Sequence, residues 1–418
     1  MSQDTSQDTT RRSQPSPQAT LPPYLDKLLV GLLAAFGFVL PLSTAAVSLG
    51  MAALLACSLL LVPAWWRTAP WREPVVTVGL ILLAWIMLHT ALVSGLNRQW
   101  LTTVNSYHEL LLCALLLGLF RLVSRPQAFL GGLALGTGVY ALAHWVSYFE
   151  LSPRLNDYLE PRYISAGYIM AITAFVLLEQ SYRGARHPRL LRLLAAFLAA
   201  TVVFTIQGRT GQLLIALLAA YATWCCAPRA WRLGLSLGLT VLLLGLAFTV
   251  GSARERVPEM LGGVQMSEGW EHTSTGIRIG LLTSALETAR HHGLTGIGFA
   301  RFAQFQEQSV RDILSRDGDP RAPESLPWLR AANPHSEYLM QQISGGVVSL
   351  ALFLAWLAAP LLRRHQGRAM PSLVALSLAF ALGALFNSLL LDFVEAHFHV
   401  AMLAWLLAGL PATDTAPS

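Results

Sequence analysis

The apolar residues of this chain fall into long blocks that short polar connections separate. The blocks have about the length that a helix needs to cross a hydrocarbon core of about 30 Å. Because backbone groups in lipid must pair within their own segment, and the alternation of barrel strands is absent, the blocks predict helices. About twelve spans can be placed from this pattern. They cover residues 28–40, 46–62, 75–94, 110–120, 128–148, 163–178, 191–206, 212–226, 233–250, 339–361, 373–391 and 398–410.

Composition agrees with an all-α polytopic membrane protein. Hydrophobic residues make up 54% of the 418 residues and charged residues 12%, with a mean hydropathy of +0.51, which is too apolar for a soluble domain of this length. The net charge of +6 is carried almost entirely by arginine, since Lys27 is the only lysine. These arginines lie mainly in short connections, which is typical of topology determinants and not of nucleic-acid binding. The four cysteines fall inside apolar blocks and predict buried small side chains.

The distribution of arginine predicts which side each connection faces. With the amino terminus in the cytoplasm, the inner connections are rich in arginine and the short outer connections carry only Arg98, Arg154, Arg162 and Arg209. The prediction is a disordered cytoplasmic tail at 1–26 and spans one to nine within 27–250. A long outer segment at 251–336, spans ten to twelve within 337–411 and a cytoplasmic tail at 412–418 follow.

The sequence pattern of the outer segment predicts two helices, of which the first is amphipathic. Ser274 or Thr275 can cap a helix that continues to about residue 290. Its apolar stripe would consist of Ile277, Leu281, Leu282, Ala285 and Ala289. We expect this helix to lie along the membrane surface and a second helix to cover about residues 300–314.

Familiar nucleotide, hydrolase and zinc-protease motifs are absent from the sequence. The glycine-rich residues 293–298 follow a helix and lack the lysine of a phosphate loop, so they predict a turn. His291 with His292, and His397 with His399, could ligate a metal. Adjacent or alternating histidines without a carboxylate set are more often surface or packing residues, so we expect no metal site.

Three cationic or titratable residues stand out at predicted span borders. Arg209 lies in a Gly-Arg-Thr-Gly turn, Arg278 lies on the first helix of the outer segment, and His335 lies just before the tenth span. Each also has an ordinary interpretation, as a snorkelling anchor, a solvated helix residue and a helix-start residue. Their convergence in space does not follow from the sequence.

Three motifs resemble those of the bacterial O-antigen ligase family. They are the turn at Arg209, the Thr-Gly-Ile-Arg278 helix with the following Gly-Leu-Thr-Gly-Ile-Gly298, and His335-Ser-Glu-Tyr338-Leu continuing to Gly345-Gly346. This family belongs to a larger group with O-antigen polymerases and some protein O-oligosaccharyltransferases. The motif-bearing part is about 162–346. Ser336 departs from the pattern, because many members carry Asn there.

The resemblance implies a GT-C-like glycosyltransferase of the bacterial inner membrane, with its active site facing the periplasm. The implied reaction transfers O-antigen from undecaprenyl diphosphate to a lipid A-core hydroxyl, with inversion and without metal or cofactor. His335 would be the general base, and Arg209 and Arg278 would bind the diphosphate leaving group. Arg162 and Tyr338 are further candidates for substrate binding. A polymerase or protein O-oligosaccharyltransferase with the same donor remains open, as does a lipid-linked sugar flippase or transporter, which would place polar residues near the bilayer midplane.

Overall fold

A computed structural model of the protein describes residues 21–159, 162–183, 185–249, 254, 257, 258, 261, 272–318, 322–362 and 370–410. These residues form helices joined by turns. In chain order the helices are α1 (Pro23–Val39), α2 (Thr44–Leu60), α3 (Val62–Trp66), α4 (Pro74–Ser94), α5 (Arg98–Ser106), α6 (Glu109–Leu122), α7 (Gln127–Tyr148), α8 (Pro153–Leu159), α9 (Tyr163–Tyr182), α10 (Pro188–Phe204), α11 (Arg209–Cys226), α12 (Arg232–Thr249), α13 (Ser274–His292), α14 (Phe302–Arg316), α15 (Glu337–Leu362), α16 (Met370–Gly383) and α17 (Phe393–Ala408).

Each predicted span overlaps one of these helices. Within the described residues, five helices are long and apolar enough to cross a membrane, namely α4, α7, α9, α12 and α15. The number rises to seven if two bent pairs, α2 with the 62–72 segment and α5 with α6, each form one span. The helices α16 and α17 are apolar but shorter. The protein is therefore a multi-pass membrane protein, while crossing by all of the twelve predicted spans stays a prediction.

Two predicted spans are not continuous helices. The tenth is broken at Gly346, whose φ is +73°, and the eleventh ends at Gly383. Residues 384–391 turn instead, because their backbone groups pair with the start of α15: the Glu337 N–H donates to the Ala384 carbonyl at 2.9 Å, and the Leu390 N–H donates to the Glu337 carboxylate at 3.0 Å. The turn thereby gains polar partners that a sequence pattern does not show.

Among the described residues, the hydrogen bonds between helix ends join ends that the arginine pattern assigns to the same side. On the predicted inner side, Asp26 accepts hydrogen bonds from Ser124, and Glu179 accepts one from Ser372. On the predicted outer side, contacts join Arg162 to Leu42, Arg209 to Thr275 and Ser165 to Glu395. Which side faces the periplasm stays a prediction. The tail residues 1–20 and 411–418 lie outside the described residues, as does most of 250–271.

The outer segment has a small core of its own between α13, α14 and the turn after them. It consists of Leu281, Val310, Leu314, Leu326, Trp328 and Leu329. Both predicted helices are present. The predicted cap, Ser274 or Thr275, is wrong by one or two residues, because the Thr273 hydroxyl caps α13 by accepting from the Gly276 N–H at 2.9 Å. The expected apolar stripe is wrong in part. Leu281 and Ala285 are buried, but Leu282 is 47% exposed, because small residues such as Gly280 and Ser284 face Trp328 and Gln306.

Candidate active site

The first feature of the site is the close approach of α9 and α11. A Cβ on Gly211 would lie 2.7 Å from the Gly167 Cα, and a Cβ on Gly208 would lie 2.7 Å from the Tyr163 ring. Both distances are too short for any side chain, so these positions require glycine. The two glycines of the Gly-Arg-Thr-Gly turn therefore hold the N-termini of both helices together, with Arg209 as the first residue of α11.

Arg209 joins this pair of helices to the outer segment. Its guanidinium donates to the Thr275 hydroxyl at 3.0 Å, in the first turn of α13. Arg278, one turn further along the same helix, lines the same narrow cleft. We call this the arginine cleft; it is lined by Tyr163, Ile164, Gln207, Gly208, Arg209, Thr210, Ser274 and Arg278. Two arginines from distant parts of the chain thus face one space.

The electrostatics of the arginine cleft favour an anion. Burial and repulsion from Arg209 lower the pKa of Arg278, with Tyr163 acting in the opposite direction. Arg278 forms no salt bridge with a carboxylate of the described residues. The cleft also lies where α9, α11 and α13 begin, and the unpaired N–H groups and dipole at helix N-termini favour negative charge.

Three of the four residues in His335-Ser-Glu-Tyr338 anchor the chain. The Ser336 hydroxyl donates to the Ala384 carbonyl at 3.4 Å. The Glu337 carboxylate accepts from the Leu390 N–H. The Tyr338 hydroxyl donates to the Ala381 carbonyl at 2.9 Å. Tyr338 lines neither the arginine cleft nor the cavity described next, so its role in substrate binding stays a prediction. The anchoring fixes the position of His335.

His335 is held in an uncommon backbone conformation. Its φ is +50°, in the left-handed region that residues other than glycine rarely adopt. The Asn333 side chain stabilises the turn by accepting from the His335 N–H at 3.0 Å. Strain of this kind concentrates at functional sites. Burial, and then the charge of Arg278, lower the pKa of His335, which favours the neutral imidazole.

His335 faces a cavity of about 330 Å³ beside the arginine cleft. We call it the histidine cavity. Its polar lining consists of Ser43, Thr44, Tyr140, Arg162, Ser165, His335, Asn387, Asp392 and Glu395. Ile164 lines both spaces, so they are neighbours. The structure therefore brings together Arg162, Arg209, Arg278 and His335, which the sequence suggested only one at a time.

Some of the hydrogen-bond donors of Arg162 are already used by neighbours in the histidine cavity. Its guanidinium donates to the Leu42 carbonyl at 3.2 Å and lies 4.1 Å from the centre of the Tyr158 ring. The Tyr158 hydroxyl donates to the same carbonyl. Arg162 thus connects α8 and α9 to the turn between α1 and α2, with some of its five donors left for a ligand.

The sequence interpretation missed two carboxylates in the histidine cavity. Glu395 accepts from the Ser165 hydroxyl at 2.7 Å, and Asp392 precedes α17. Burial, then the carboxylates of Glu395 and Glu337, raise the pKa of Asp392. The available signal was the position of Asp392 between two apolar blocks, where a charge is costly without a partner or function.

The glycine-rich residues 293–298 do not form a phosphate loop. The Ile297 and Gly298 N–H groups donate to the Ile343 and Ser344 carbonyls at 2.9 and 2.8 Å. The two accepting carbonyls belong to α15 and lie next to its break at Gly346. The loop is therefore structural, and its donors are already used.

One group of metal-type side chains occurs among the described residues, formed by His108, Glu109 and His397. The Nδ1 atom of His108 lies 2.5 Å from the Asn105 carbonyl oxygen. The Nδ1 atom of His397 lies 2.7 Å from the Phe393 carbonyl oxygen. A carbonyl oxygen can only accept, so each Nδ1 carries a hydrogen and Nε2 is the ring nitrogen left for a ligand. The expectation of no metal site stays a prediction.

Comparison with known families agrees with the geometry. The O-antigen ligase family model matches residues 194–354, from α10 to α15, and this range contains Arg209, Arg278 and His335. No curated protein matches the chain. The resemblance seen in the motifs is thereby confirmed, because residues 194–354 match the O-antigen ligase family model. Members of this family are glycosyltransferase-like enzymes, and the family implies lipid-linked polysaccharide substrates.

Proposed function

We propose that the protein is an O-antigen ligase of the bacterial inner membrane. It transfers O-antigen polysaccharide from undecaprenyl diphosphate to a hydroxyl of lipid A-core, with inversion, without a metal and on the periplasmic face. The observation that carries the proposal is the juxtaposition of two arginines in one cleft with a histidine in the adjoining cavity. This is the arrangement that displacement of a diphosphate by a hydroxyl requires.

The arginines would act on the leaving group. The acceptor oxygen forms a bond to the anomeric carbon while the bond between that carbon and the diphosphate oxygen breaks. The electron pair leaves with undecaprenyl diphosphate, whose growing charge Arg209 and Arg278 stabilise. Guanidinium groups suit this task because they bind phosphate oxygens through two parallel hydrogen bonds. A charge pair at about 4 Å contributes on the order of 4 kcal/mol at an effective dielectric near 20, before desolvation.

His335 would take the proton of the acceptor hydroxyl. An imidazole that is neutral at working pH can accept this proton, and general-base catalysis typically contributes about 10²- to 10⁴-fold. The lowered pKa of His335 keeps the ring neutral near pH 7. Asp392 and Glu395 lie on the same cavity wall and could accept hydrogen bonds from acceptor hydroxyls.

A polymerase or protein O-oligosaccharyltransferase would use the same donor and the same arginines. Only the acceptor separates these activities. A flippase is less consistent with the geometry, since the candidate residues lie together at the ends of helices. The helix ends concerned are those that the arginine pattern assigns to the outside.

The test is transfer by the purified protein from a polyprenyl-diphosphate-linked donor to lipid A-core, followed by gel shift of the product. We expect His335→Ala to lower kcat by about 10²- to 10⁴-fold. His187→Ala is the matched control, because His187 precedes α10 and lines neither the arginine cleft nor the histidine cavity. EDTA should leave the rate unchanged.

Full activity of His335→Ala would contradict the assigned base, and loss of activity in EDTA would contradict the metal-free mechanism. Addition of donor repeats to another donor, in place of lipid A-core, would identify a polymerase. Transfer to a protein acceptor alone would identify an O-oligosaccharyltransferase.

A further inference from the structure

A second cavity lies in the outer segment, between the last turns of α13 and the first turns of α14. It encloses about 380 Å³, within the range of about 300–1,000 Å³ that is usual for ligand pockets. The side chains used in the argument below are Glu287, His291, His292, Phe305, Gln308 and Asp312. We call this the α13–α14 pocket. No part of the mechanism above uses it.

The α13–α14 pocket has a firm base. At its floor, the buried Thr288 and Ser309 hydroxyls bond to each other at 2.7 Å and join the two helices. A neighbouring buried bond joins Gln306 to Ser284 at 2.5 Å. These bonds make the spacing of α13 and α14 a fixed feature, so the pocket does not depend on the side chains at its rim.

The position of the pocket relates it to the candidate active site. Glu287 and His292 follow Arg278 on the same helix by nine and fourteen residues, which corresponds to about 14 and 21 Å at 1.5 Å per residue. A ligand in the pocket is too far from Arg278 to be the reacting sugar or the diphosphate. A chain of sugars that starts at the active site can reach it.

The side chains of the pocket disfavour a lipid and an anion. Phe305 is the only apolar side chain of its lining, whereas Leu282 and Leu286 are exposed on a different side of α13. Asp312 is exposed and forms no salt bridge within the described residues, so it would repel a phosphate or carboxylate. Hydrocarbon would leave these polar groups unpaired.

The same side chains suit a neutral saccharide. A sugar ring offers hydroxyl groups that donate and accept hydrogen bonds, together with apolar C–H faces. Asp312 can accept from hydroxyls, and Gln308 can both donate and accept. Phe305 is half-buried, with the His292 ring edge-on at 4.9 Å and the Arg301 guanidinium 5.0 Å from its ring centre, and the rest of its ring supplies an aromatic surface. Glu287 is held by Arg316 at 3.0 Å and is fixed in orientation.

We propose that the α13–α14 pocket binds a neutral saccharide unit several sugars away from the reacting centre. The inference rests on the proposed function, because that reaction brings two sugar chains to this face. The unit can belong to the O-antigen of the donor or to the core oligosaccharide of the acceptor. Binding here would hold the sugar chain in line with the cleft and raise affinity without taking part in bond formation.

The test measures binding of two soluble probes to the full-length protein by saturation-transfer NMR and calorimetry. One probe is the polysaccharide released from the donor, and the other is delipidated core oligosaccharide. The double variant Gln308→Ala/Asp312→Asn should weaken binding of one probe by about tenfold, as expected for loss of two hydrogen bonds of about 0.5–1.5 kcal/mol each. The probe that is affected identifies the source of the saccharide.

Gln304→Ala is the matched control, because Gln304 is an exposed glutamine one turn earlier on α14 and does not line the pocket. In transfer assays the double variant should raise KM for the substrate that carries the affected saccharide and leave kcat unchanged. Phe305→Ala is a less clean probe, since Phe305 also packs against the main hydrophobic core of the protein.

Equal affinities of the double variant and Gln304→Ala for both probes would overturn the proposal. So would the absence of binding of either probe to the wild-type protein. Binding does not require catalysis, so His335→Ala should bind the probes as the wild type does. Retained binding in a wild-type protein that shows no transfer would support the pocket while contradicting the proposed ligase reaction.

Discussion

The outer segment carries two groups of arginines in opposite surroundings. Those of α14 and the turn after it are exposed and paired with carboxylates: Arg311 with Glu307 and Glu324, Arg316 with Glu287 and Asp317, and Arg330 with Glu307, all at 2.7–3.2 Å. Arg278, on the neighbouring helix, is half-buried, lies near the like charge of Arg209 and has no carboxylate partner within the described residues.

We infer from this difference that the exposed, paired arginines serve solubility and that Arg278, beside Arg209, binds an anion. Exposed pairs are screened by water and salt and contribute little. A half-buried cation beside another cation is costly unless an anion completes the site. The surrounding helix N-termini add to the positive potential and do not relieve it. A diphosphate would relieve it.

The largest expected effect comes from removing Arg278. Arg278→Ala should lower kcat by about 10²- to 10³-fold, since removing one preformed group that stabilises developing negative charge has this effect in other enzymes. Arg330→Ala should change the rate by less than about twofold, because Arg330 is exposed and its salt bridge with Glu307 is screened by water. Initial rates of transfer at saturating acceptor measure both.

Equal losses in Arg278→Ala and Arg330→Ala would remove the distinction between the two groups. Arg290→Ala is a further control, since Arg290 is exposed in the last turn of α13 and lines none of the three cavities. Monodispersity of each variant in detergent checks that the fold is retained.

A second, smaller effect should come from the packing that positions Arg278. A Cβ on Gly280 would lie 2.3 Å from the Trp328 ring, so Gly280→Ala forces α13 and Trp328 apart. Overpacking of this kind costs about 1–3 kcal/mol, which exceeds the gain of up to about 1 kcal/mol in helix propensity. Hydrogen exchange of the α13 amides should become faster, and transfer should slow as Arg278 moves.

Gly238→Ala provides the contrast for this prediction. Gly238 lies in α12 with no atom within 4 Å of an added Cβ, so the alanine should be neutral or stabilising. Unchanged exchange in α13 of Gly280→Ala would show that the contact with Trp328 does not hold the helix in place.

The comparison also shows how far the sequence could predict the fold. Each apolar block became a helix because length and hydropathy are local properties. The buried face of α13 was mispredicted because Gly280 and Ser284 are buried by partners from α14 and the following turn. The break at Gly346 was equally hidden, since the loop that pairs with it comes from residues 294–298.

The sequence predicted the candidate site to a similar extent. Single residues such as Arg209, Arg278 and His335 could be nominated from motifs. Their proximity depends on the close approach of α9 and α11 at Gly167 and Gly211, which are far apart in the sequence. Asp392 and Glu395 were missed because carboxylates between two apolar blocks have no motif around them. Their neighbours in the cavity include residues from four other parts of the chain.

The smallest expected effect is a shift in the pH dependence of transfer, which arises because the charge of Arg278 acts on the pKa of His335. Burial, and then the charge of Arg278, lower the pKa of His335, because both disfavour the protonated ring. In Arg278→Gln the repulsive charge is gone, so the pKa of His335 should rise. As the neutral ring is the base, the acidic limb of kcat/KM should move to higher pH.

A carbon-labelled histidine NMR titration measures this shift directly, with His335→Gln used to assign the signal. Arg330→Gln removes an arginine of the exposed, carboxylate-paired group and should leave the His335 titration where it is in the wild type. A titration that is unchanged in Arg278→Gln, or that moves equally in both variants, would mean that Arg278 does not act on His335. In that case the contrast between the two groups of arginines would concern the leaving group alone.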